Sequence, residues 1–329
     1  MNTLQSLSGR MSSAGKQKNN ILVFLVLAVL LAVSFVLSCM FGSTKSAEPI
    51  IVFYIRLPRT IAAVLAGSAL AVAGVIIQAV LNNPMAAPNL IGVNSGAGFA
   101  ATMTIAVFPN ALMALPFTSF LGALAACLLI YAISSRSGAS RLTITLIGIA
   151  VGNVLNAGIN TIKILFPDSV YDADVFMIGG FSGVTYAKFT PAFFIISTGM
   201  LLSVFLAKEI DVLCLGEVTA VSLGMNIRML RFVLLVIASA LAGAAVSFAG
   251  LLGFVGLLVP HIMRRFVGNK HTFLIPSSAM LGAVLVLVCD LFSRTVFAPY
   301  EIPVGIVLSL VGGVFFICLV LFGKRKRDL

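Results

Sequence analysis

Two arginines in Arg56-Leu57-Pro58-Arg59-Thr60 are the first residues of this sequence whose types and spacing suggest chemistry. They stand directly before an apolar stretch that begins at Ile61 and continues to Leu81. Guanidinium groups stay charged and form paired hydrogen bonds with carboxylates and phosphates. Two guanidinium groups at the start of an apolar span therefore predict a contact with a negatively charged partner.

Enzymatic chemistry is not indicated by the sequence. The five cysteines are scattered without C-x-x-C or metal-ligand spacing and are interpreted as small packing residues. A phosphate-binding loop needs serine or threonine after its lysine, whereas Gln17 follows Lys16 and Arg325 follows Lys324. No nucleophile elbow or catalytic carboxylate pair is present. The sequence predicts no catalytic residue, no metal site and no cofactor bound by this chain.

The composition indicates that membrane-spanning helices position the arginines. Hydrophobic residues make up 60% of the 329 residues and charged residues 9%, and mean hydropathy is +1.15. A water-soluble domain carries about 25% charged residues. The chain is therefore predicted to be an all-α polytopic membrane protein.

Nine apolar stretches predict ten transmembrane helices. Eight have the length of a single crossing, about 20 residues. They are 21–41, 61–81, 90–108, 111–135, 142–162, 189–207, 272–293 and 302–323. The ninth, 232–263, contains a glycine cluster at 249–256 and is predicted to cross twice, the second time with a short helix.

Basic residues predict the orientation of these crossings. With the N-terminus inside, fifteen lysines and arginines fall on cytoplasmic segments and six fall outside, so both termini are expected in the cytoplasm. This divides the chain into a tail 1–20, a transmembrane domain 21–323 and a basic tail 324–329. The basic tail is interpreted as a stop-transfer anchor, with binding to acidic lipid or nucleic acid as the alternative.

Uncharged polar residues collect beside the predicted helix breaks. Such groups either form hydrogen bonds between helices or line a pathway, and their concentration beside Pro and Gly interruptions favours a pathway. A small-residue face from Gly67 to Gly74 also allows close helix packing. The polar residues are Gln78, Asn82, Asn83, Asn94, Thr143, Thr145, Asn153, Asn156 and Asn160, and Pro84 stands at one of the breaks.

Charge within the spans is scarce, which bears on the energy source. Asp290 is the one acidic residue well inside a span, and Arg294 follows it on the same helical face, so the two are interpreted as a self-neutralising pair. A proton- or sodium-driven carrier is expected to have more acids or histidines at the membrane midplane. The scarcity therefore disfavours ion-coupled transport.

Residues 208–229 between the sixth and seventh spans offer a contact surface. Glu217–Leu223 predicts a short helix between Gly216 and Gly224, whose apolar side chains suit a groove on a partner. An amphipathic linker on the lipid surface is the alternative.

The spacing Arg-x-x-Arg occurs before two Ala/Gly-rich spans. Arg56 and Arg59 open one from outside, and Arg228 and Arg231 open another from inside, five crossings later. This arrangement predicts an inverted internal repeat.

Taken together, these motifs resemble the FecCD permeases, the membrane subunits of bacterial ABC importers for ferric siderophores, haem and cobalamin. The resemblance covers the chain from about residue 50 to the end. It is carried by 56–60, 67–74, Gln78, 83–84, 92–98, 215–217, 253–257, 259–261 and 301–305.

The resemblance implies the type II ABC importer permease fold, with ten helices per subunit, in the bacterial cytoplasmic (inner) membrane. It also implies partners: a second copy of the chain or a paralogous permease, two ABC ATPase subunits that hold ATP and Mg, an extracytoplasmic substrate-binding protein, and lipid but no nucleic acid.

Site residues carry over from the matched motifs. Arg56, Arg59 and Arg294 match arginines that dock onto glutamates of the binding protein. The turn Asn83-Pro84-Met85 matches a cytoplasmic gate, with Met85 as a flexible apolar plug, and a second gate is expected in 141–145. The residues that match the segment inserted into the ATPase are Leu215, Gly216, Glu217, Ala220, Leu223 and Gly224.

The expected function is therefore ATP-driven import of an iron complex, with ferric siderophore ahead of haem. A cobalamin importer is the alternative, and an ion-coupled secondary transporter or passive channel is a remoter one. The neutral pathway suggests that the binding protein determines specificity.

Overall fold

A computed structural model of the chain describes residues 2–43, 48–109, 112–136 and 141–323. Within those ranges the chain is helical and contains no strand. Its α-helices are α1 (Asn2–Met40), α2 (Pro49–Ile51), α3 (Leu57–Val80), α4 (Val93–Val107), α5 (Leu115–Arg136), α6 (Arg141–Leu165), α7 (Val170–Ile178), α8 (Tyr186–Phe205), α9 (Ala207–Cys214), α10 (Glu217–Ser222), α11 (Ile227–Ala249), α12 (Val255–Val267), α13 (His271–Thr295) and α14 (Val304–Gly323).

Among the described residues, seven helical stretches are long and apolar enough to cross a membrane, which confirms the prediction of a polytopic all-α protein. They are Asn19–Met40, Pro49–Val80, Leu115–Arg136, Leu142–Leu165, Tyr186–Phe205, Ile227–Ala249 and His271–Thr295. α4 and the Val304–Leu319 part of α14 are shorter apolar helices, and α12 is a helix of 13 residues. These three lie at the positions of the other predicted crossings. The number of crossings stays a prediction.

Two of the predicted segments lie at the ends of the chain. α1 begins at Asn2, so the segment predicted as a tail over 1–20 continues as helix into the first apolar stretch. The basic tail 324–329 lies outside the described residues.

The long apolar run 232–263 is broken at its glycines, as predicted. α11 ends before Gly250, which has a φ of 68°, and α12 begins after Phe254, which has a φ of 63°. A left-handed backbone terminates a helix and is easiest for glycine. At the start of α12, a Cβ added to Gly74 would lie 1.9 Å from the Gly256 carbonyl oxygen, so the two backbones touch.

α3 is the central helix and packs against α11, α12 and α13. It runs antiparallel to α13, and a Cβ added to Gly67 would lie 2.3 Å from the carbonyl oxygen of Gly282. The small-residue face of α3 is therefore used for close helix packing, as the sequence predicted.

The bundle has two ends that matter for function. We call the end that carries Arg56, Arg59 and Arg294 the arginine end, and the end that carries α9 and α10 the coupling end. α3 and α13 run between the two ends.

We expect Gly67→Ala to destabilise the protein by about 1–3 kcal/mol, because the methyl group forces two helix backbones apart. The measurement is the free energy of unfolding by SDS titration in mixed micelles. Gly313→Ala in α14 is the matched control, since nothing lies within 4 Å of its added Cβ. Equal effects of the two substitutions would contradict the close packing of α3 and α13.

Candidate functional site

A cluster of charged side chains occupies the arginine end. Arg59 donates through Nε and Nη2 to Asp290 at 3.1 and 2.9 Å, and through Nη1 to Glu301 at 2.6 Å. Asp290 is fully buried in α13, and Glu301 lies in the loop between α13 and α14. A buried carboxylate stays ionised only when a counter-charge and hydrogen bonds compensate its lost hydration, and Arg59 supplies both.

Arg294 completes the cluster from the next turn of α13. Its Nε lies 3.4 Å from Asp290, and its Nη2 donates to the carbonyl and hydroxyl oxygens of Ser38 in α1 at 2.8 and 2.5 Å. The predicted pair of Asp290 and Arg294 is therefore present, but the shorter bonds of Asp290 are those to Arg59. The sequence did not indicate that partner, which stands 231 residues away.

Arg56 is held by the end of α1. Its Nη1 donates to the Met40 carbonyl at 2.5 Å, where the last carbonyls of a helix lack partners within it and carry partial negative charge. The cluster thus contains three positive charges, on Arg56, Arg59 and Arg294. It also contains two negative charges, on Asp290 and Glu301. The five side chains thus carry one net positive charge.

The three arginines lie together, as is required if they form one docking surface as the family resemblance implies. Their exposed fractions are small, 3% for Arg56, 8% for Arg59 and 2% for Arg294, because their guanidinium groups point into the chain. Docking on these residues stays a prediction. In this conformation Glu301 is the more accessible member, with a side chain 29% exposed.

The surroundings of Glu301 shift the pKa of its carboxyl group in two opposite directions. Burial alone raises the pKa of its carboxyl group, but the hydrogen bond and positive charge of Arg59 outweigh burial and leave the pKa below its ordinary value. Arg59 and Glu301 also line a cavity of about 450 Å³ beside Lys188 and Asp172. The cluster therefore borders a space large enough to admit side chains of a partner.

The coupling end presents the predicted short helix. α10 spans Glu217–Ser222 between Gly216 and Gly224, whose φ values of 112° and 79° are positive and favour glycine. Glu217 pairs with Arg231 of α11 at 2.5 Å, which fixes α10 to the bundle. The helix and its two glycines are thus present, and the ATPase contact stays a prediction.

The apolar residues in and beside α10 lie on two faces, one buried against the bundle and one exposed. Ala220 is fully buried against the bundle, whereas Leu215 and Leu223, which flank the helix, are exposed. Val218, 83% exposed, and Val221 share the outward face, and neither was among the contact residues predicted from the sequence. Their spacing of three residues was the available signal.

Three of the predicted gate and pathway residues lie in two places near α12. Gln78 is buried, donates to the Gly256 carbonyl at 3.2 Å and accepts from Arg264, so it bridges α3 and α12. Met85 and Asn94 meet in a cavity of about 210 Å³ at the start of α12.

The turn before that cavity is held by a side chain. Asn83 accepts from the Met85 backbone N–H at 2.9 Å, and Asn83 and Pro84 are exposed. The bond fixes the turn from which Met85 reaches the cavity.

α6 presents an unusual surface for an apolar helix. Asn153, Asn156 and Asn160 are all exposed and follow the spacing of one helical face. Thr143 and Thr145 are half-buried near its start. Because α6 contains a stretch apolar enough to cross a membrane, its amide face needs a partner or water within the bilayer.

Removing the buried carboxylate tests the arginine cluster. We expect Asp290→Asn to lower the free energy of unfolding by about 3–5 kcal/mol, because Arg59 and Arg294 lose their fully buried counter-charge. Asp174→Asn is the control, since it breaks an exposed pair with Lys163 and should cost at most about 1 kcal/mol. SDS titration in mixed micelles measures both, and equal losses would count against the role of the cluster.

The lowered pKa of Glu301 predicts a pH dependence. Its ionised carboxylate stabilises the folded chain above the ordinary pKa of 4.5, and this contribution disappears as the pH falls through the lowered folded-state pKa. Glu301→Gln should therefore have a lower Tm than wild type at pH 7, with a difference that shrinks below pH 4.5. A difference in Tm that is constant with pH would contradict the pairing of Glu301 with Arg59.

Comparisons with known proteins agree on one family. The model of the FecCD transport family matches residues 20–322. The chain is 37% identical over 331 residues to the Fe(3+)-citrate import system permease protein YfmE of Bacillus subtilis, covering 95% of this chain and 98% of that protein. It is 34% identical over 293 residues to the hemin transport system permease protein HmuU of Yersinia pestis, covering 87% of each.

A solved structure supports the same assignment. It is described as an inward-facing conformation of a metal-chelate type ABC transporter, with a TM-score of 0.85 and 28% identity, and covers 91% of this chain and 98% of that chain. Family, relatives and fold therefore coincide over nearly the whole sequence. The chain belongs to the FecCD transport family.

Proposed function

We propose that this chain is the permease subunit of an ATP-driven importer that carries an iron complex, a ferric siderophore first and haem second. It works beside a second copy or a paralogous permease in the bacterial cytoplasmic membrane, with both termini in the cytoplasm. The names of the relatives support an iron complex as cargo, because one imports Fe(3+)-citrate and another hemin.

The asparagine face of α6 carries this proposal. Asn153, Asn156 and Asn160 would be costly against lipid, since amides without partners in hydrocarbon lose their hydrogen bonds to water. A second permease that covers α6 turns this face into the wall of a polar path between the two subunits. Neutral amides can then pass a bulky complex without binding it tightly.

Energy enters at the coupling end. Val218, Val221 and Leu223 form an exposed apolar face on α10, which suits a groove on an ATPase subunit that holds ATP and Mg. Because α10 is tied to α11 through Glu217 and Arg231, a push on α10 moves the transmembrane helix.

Cargo is delivered at the arginine end. The net positive charge of the cluster attracts acidic residues of a binding protein and sets the register of docking. Arg59 is bonded to buried Asp290 and to the more accessible Glu301. A carboxylate of the binding protein that displaces Glu301 can reach Arg59 while Asp290 stays in place.

Uptake of ⁵⁵Fe-labelled ferric siderophore and haem into proteoliposomes tests the function. We expect uptake only when the permease, the ATPase, the binding protein and ATP are all present. Asn153→Leu with Asn156→Leu should reduce uptake about tenfold or more without loss of assembly, since the path loses its polar wall. Val154→Leu, exposed on the same helix, is the control.

Each rival outcome is distinct. Uptake driven by an ion gradient without ATPase would establish the secondary transporter instead. Flux without any nucleotide would establish a passive channel. Uptake of cobalamin but not of iron complexes would retain the importer and replace its cargo.

Charge reversal at Arg56 tests docking. The carbonyls of Cys39 and Met40 hold Arg56, so Arg56→Glu leaves the bonds of Asp290 intact. We expect binding of the binding protein to weaken at least about tenfold while the ATPase still assembles, because an attractive charge becomes repulsive. Lys163→Glu, at an exposed pair outside the cluster, serves as control. Unchanged affinity would leave Arg56 as a structural residue.

A further inference from the structure

A carboxylate holds α13 near each of its ends, one from α9 and one of its own. At its start, Asp211 of α9 accepts from the His271 backbone N–H at 3.0 Å and lies 2.6 Å from His271 Nδ1. Near its other end, Asp290 bonds Arg59 of α3. The helix between His271 and Asp290 is roughly 28 Å long at 1.5 Å per residue.

The contact with Asp211 is a helix cap supplied by another helix. The first N–H groups of a helix have no partner inside it, and Lys270 at the cap position makes no side-chain cap bond. Pro276 removes a further backbone donor early in α13. The first turn of α13 therefore depends on Asp211, and a displacement of α9 acts directly on it.

The body of α13 can pass such a displacement on because it is packed tightly against α3. The two helices meet at backbone distance where Gly67 faces Gly282. The Ser68 hydroxyl donates to the Ala279 carbonyl at 3.0 Å one turn away. Sliding of one helix along the other would break these contacts as well as the bonds of Arg59 with Asp290.

We infer that Asp211 is a positioning residue that links the coupling end to the arginine end through α13. The inference rests on the proposed function, in which the ATPase acts on α10 and the binding protein acts on the arginine cluster. α10 packs against α9, which carries Asp211. Linkage is reciprocal, so ATP bound on the ATPase must change the affinity for the binding protein. Asp211 carries that coupling without contact to either ligand.

The test measures this change in affinity for the complex of permease and ATPase in lipid nanodiscs. The probe is the fluorescently labelled substrate-binding protein of the same importer, titrated with and without a non-hydrolysable ATP analogue. We expect the analogue to shift the wild-type Kd about tenfold, within the usual range of coupling between sites. Asp211→Ala should reduce that shift to less than about twofold and leave the nucleotide-free Kd unchanged.

Two further variants distinguish loss of the bond between Asp211 and His271 from a general disturbance of the start of α13. Asp211→Asn keeps an oxygen that can accept from His271 and should retain most of the shift. Lys270→Ala changes the same helix end at an exposed side chain without a cap bond and should retain the wild-type shift. If Asp211→Ala does not assemble, Asp211→Ser replaces it, because its shorter side chain cannot reach His271.

The outcomes distinguish the inference from the proposed function. A wild-type shift that survives Asp211→Ala, or that Lys270→Ala removes equally, overturns the inference alone. A wild-type complex that does not bind the binding protein contradicts the proposed function, and the inference is lost with it.

Discussion

The bonds of Arg59 to the fully buried Asp290 set the main constraint on this structure. A carboxylate within an apolar bundle is tolerated only if a cation and hydrogen bonds compensate its lost hydration. Arg59 meets that need with two donors and reaches Glu301 with a third nitrogen. The requirement fixes the rotation of α3 relative to α13.

Other features of the bundle follow from that fixed pair of helices. The close approach of Gly67 and Gly282 is possible because α3 and α13 are small-residue helices at the crossing. Gln78 extends the same pair to α12, and Ser38 joins α1 through Arg294. A rigid centre built this way leaves α6, α10 and α14 at the periphery, where surfaces for partners are available. Transport proteins need both properties, since a mechanical signal requires stiff elements and movable contacts.

Sequence patterns predicted the local features of the chain well. The lengths of the apolar stretches predicted the long helices but not the short helices α2, α7 and α9. The glycines at 249–256 predicted the break between α11 and α12, and Gly216 and Gly224 predicted the ends of α10. These predictions depend on residues close together in the chain. The Arg59 and Asp290 partnership could not be read from one sequence, because periodicity does not tell which face of α3 meets which face of α13. The bond between Asp211 and His271 was missed for the same reason.

In the proposed function, the asparagine face of α6 lines a path between two permease subunits. A single cysteine at position 156, in a chain whose five native cysteines are replaced by serine, reports on this directly. In the assembled transporter we expect a membrane-impermeant maleimide to label that cysteine, at a rate that changes when the ATPase binds nucleotide. A cysteine at position 156 that is unreactive in every nucleotide state would contradict the account.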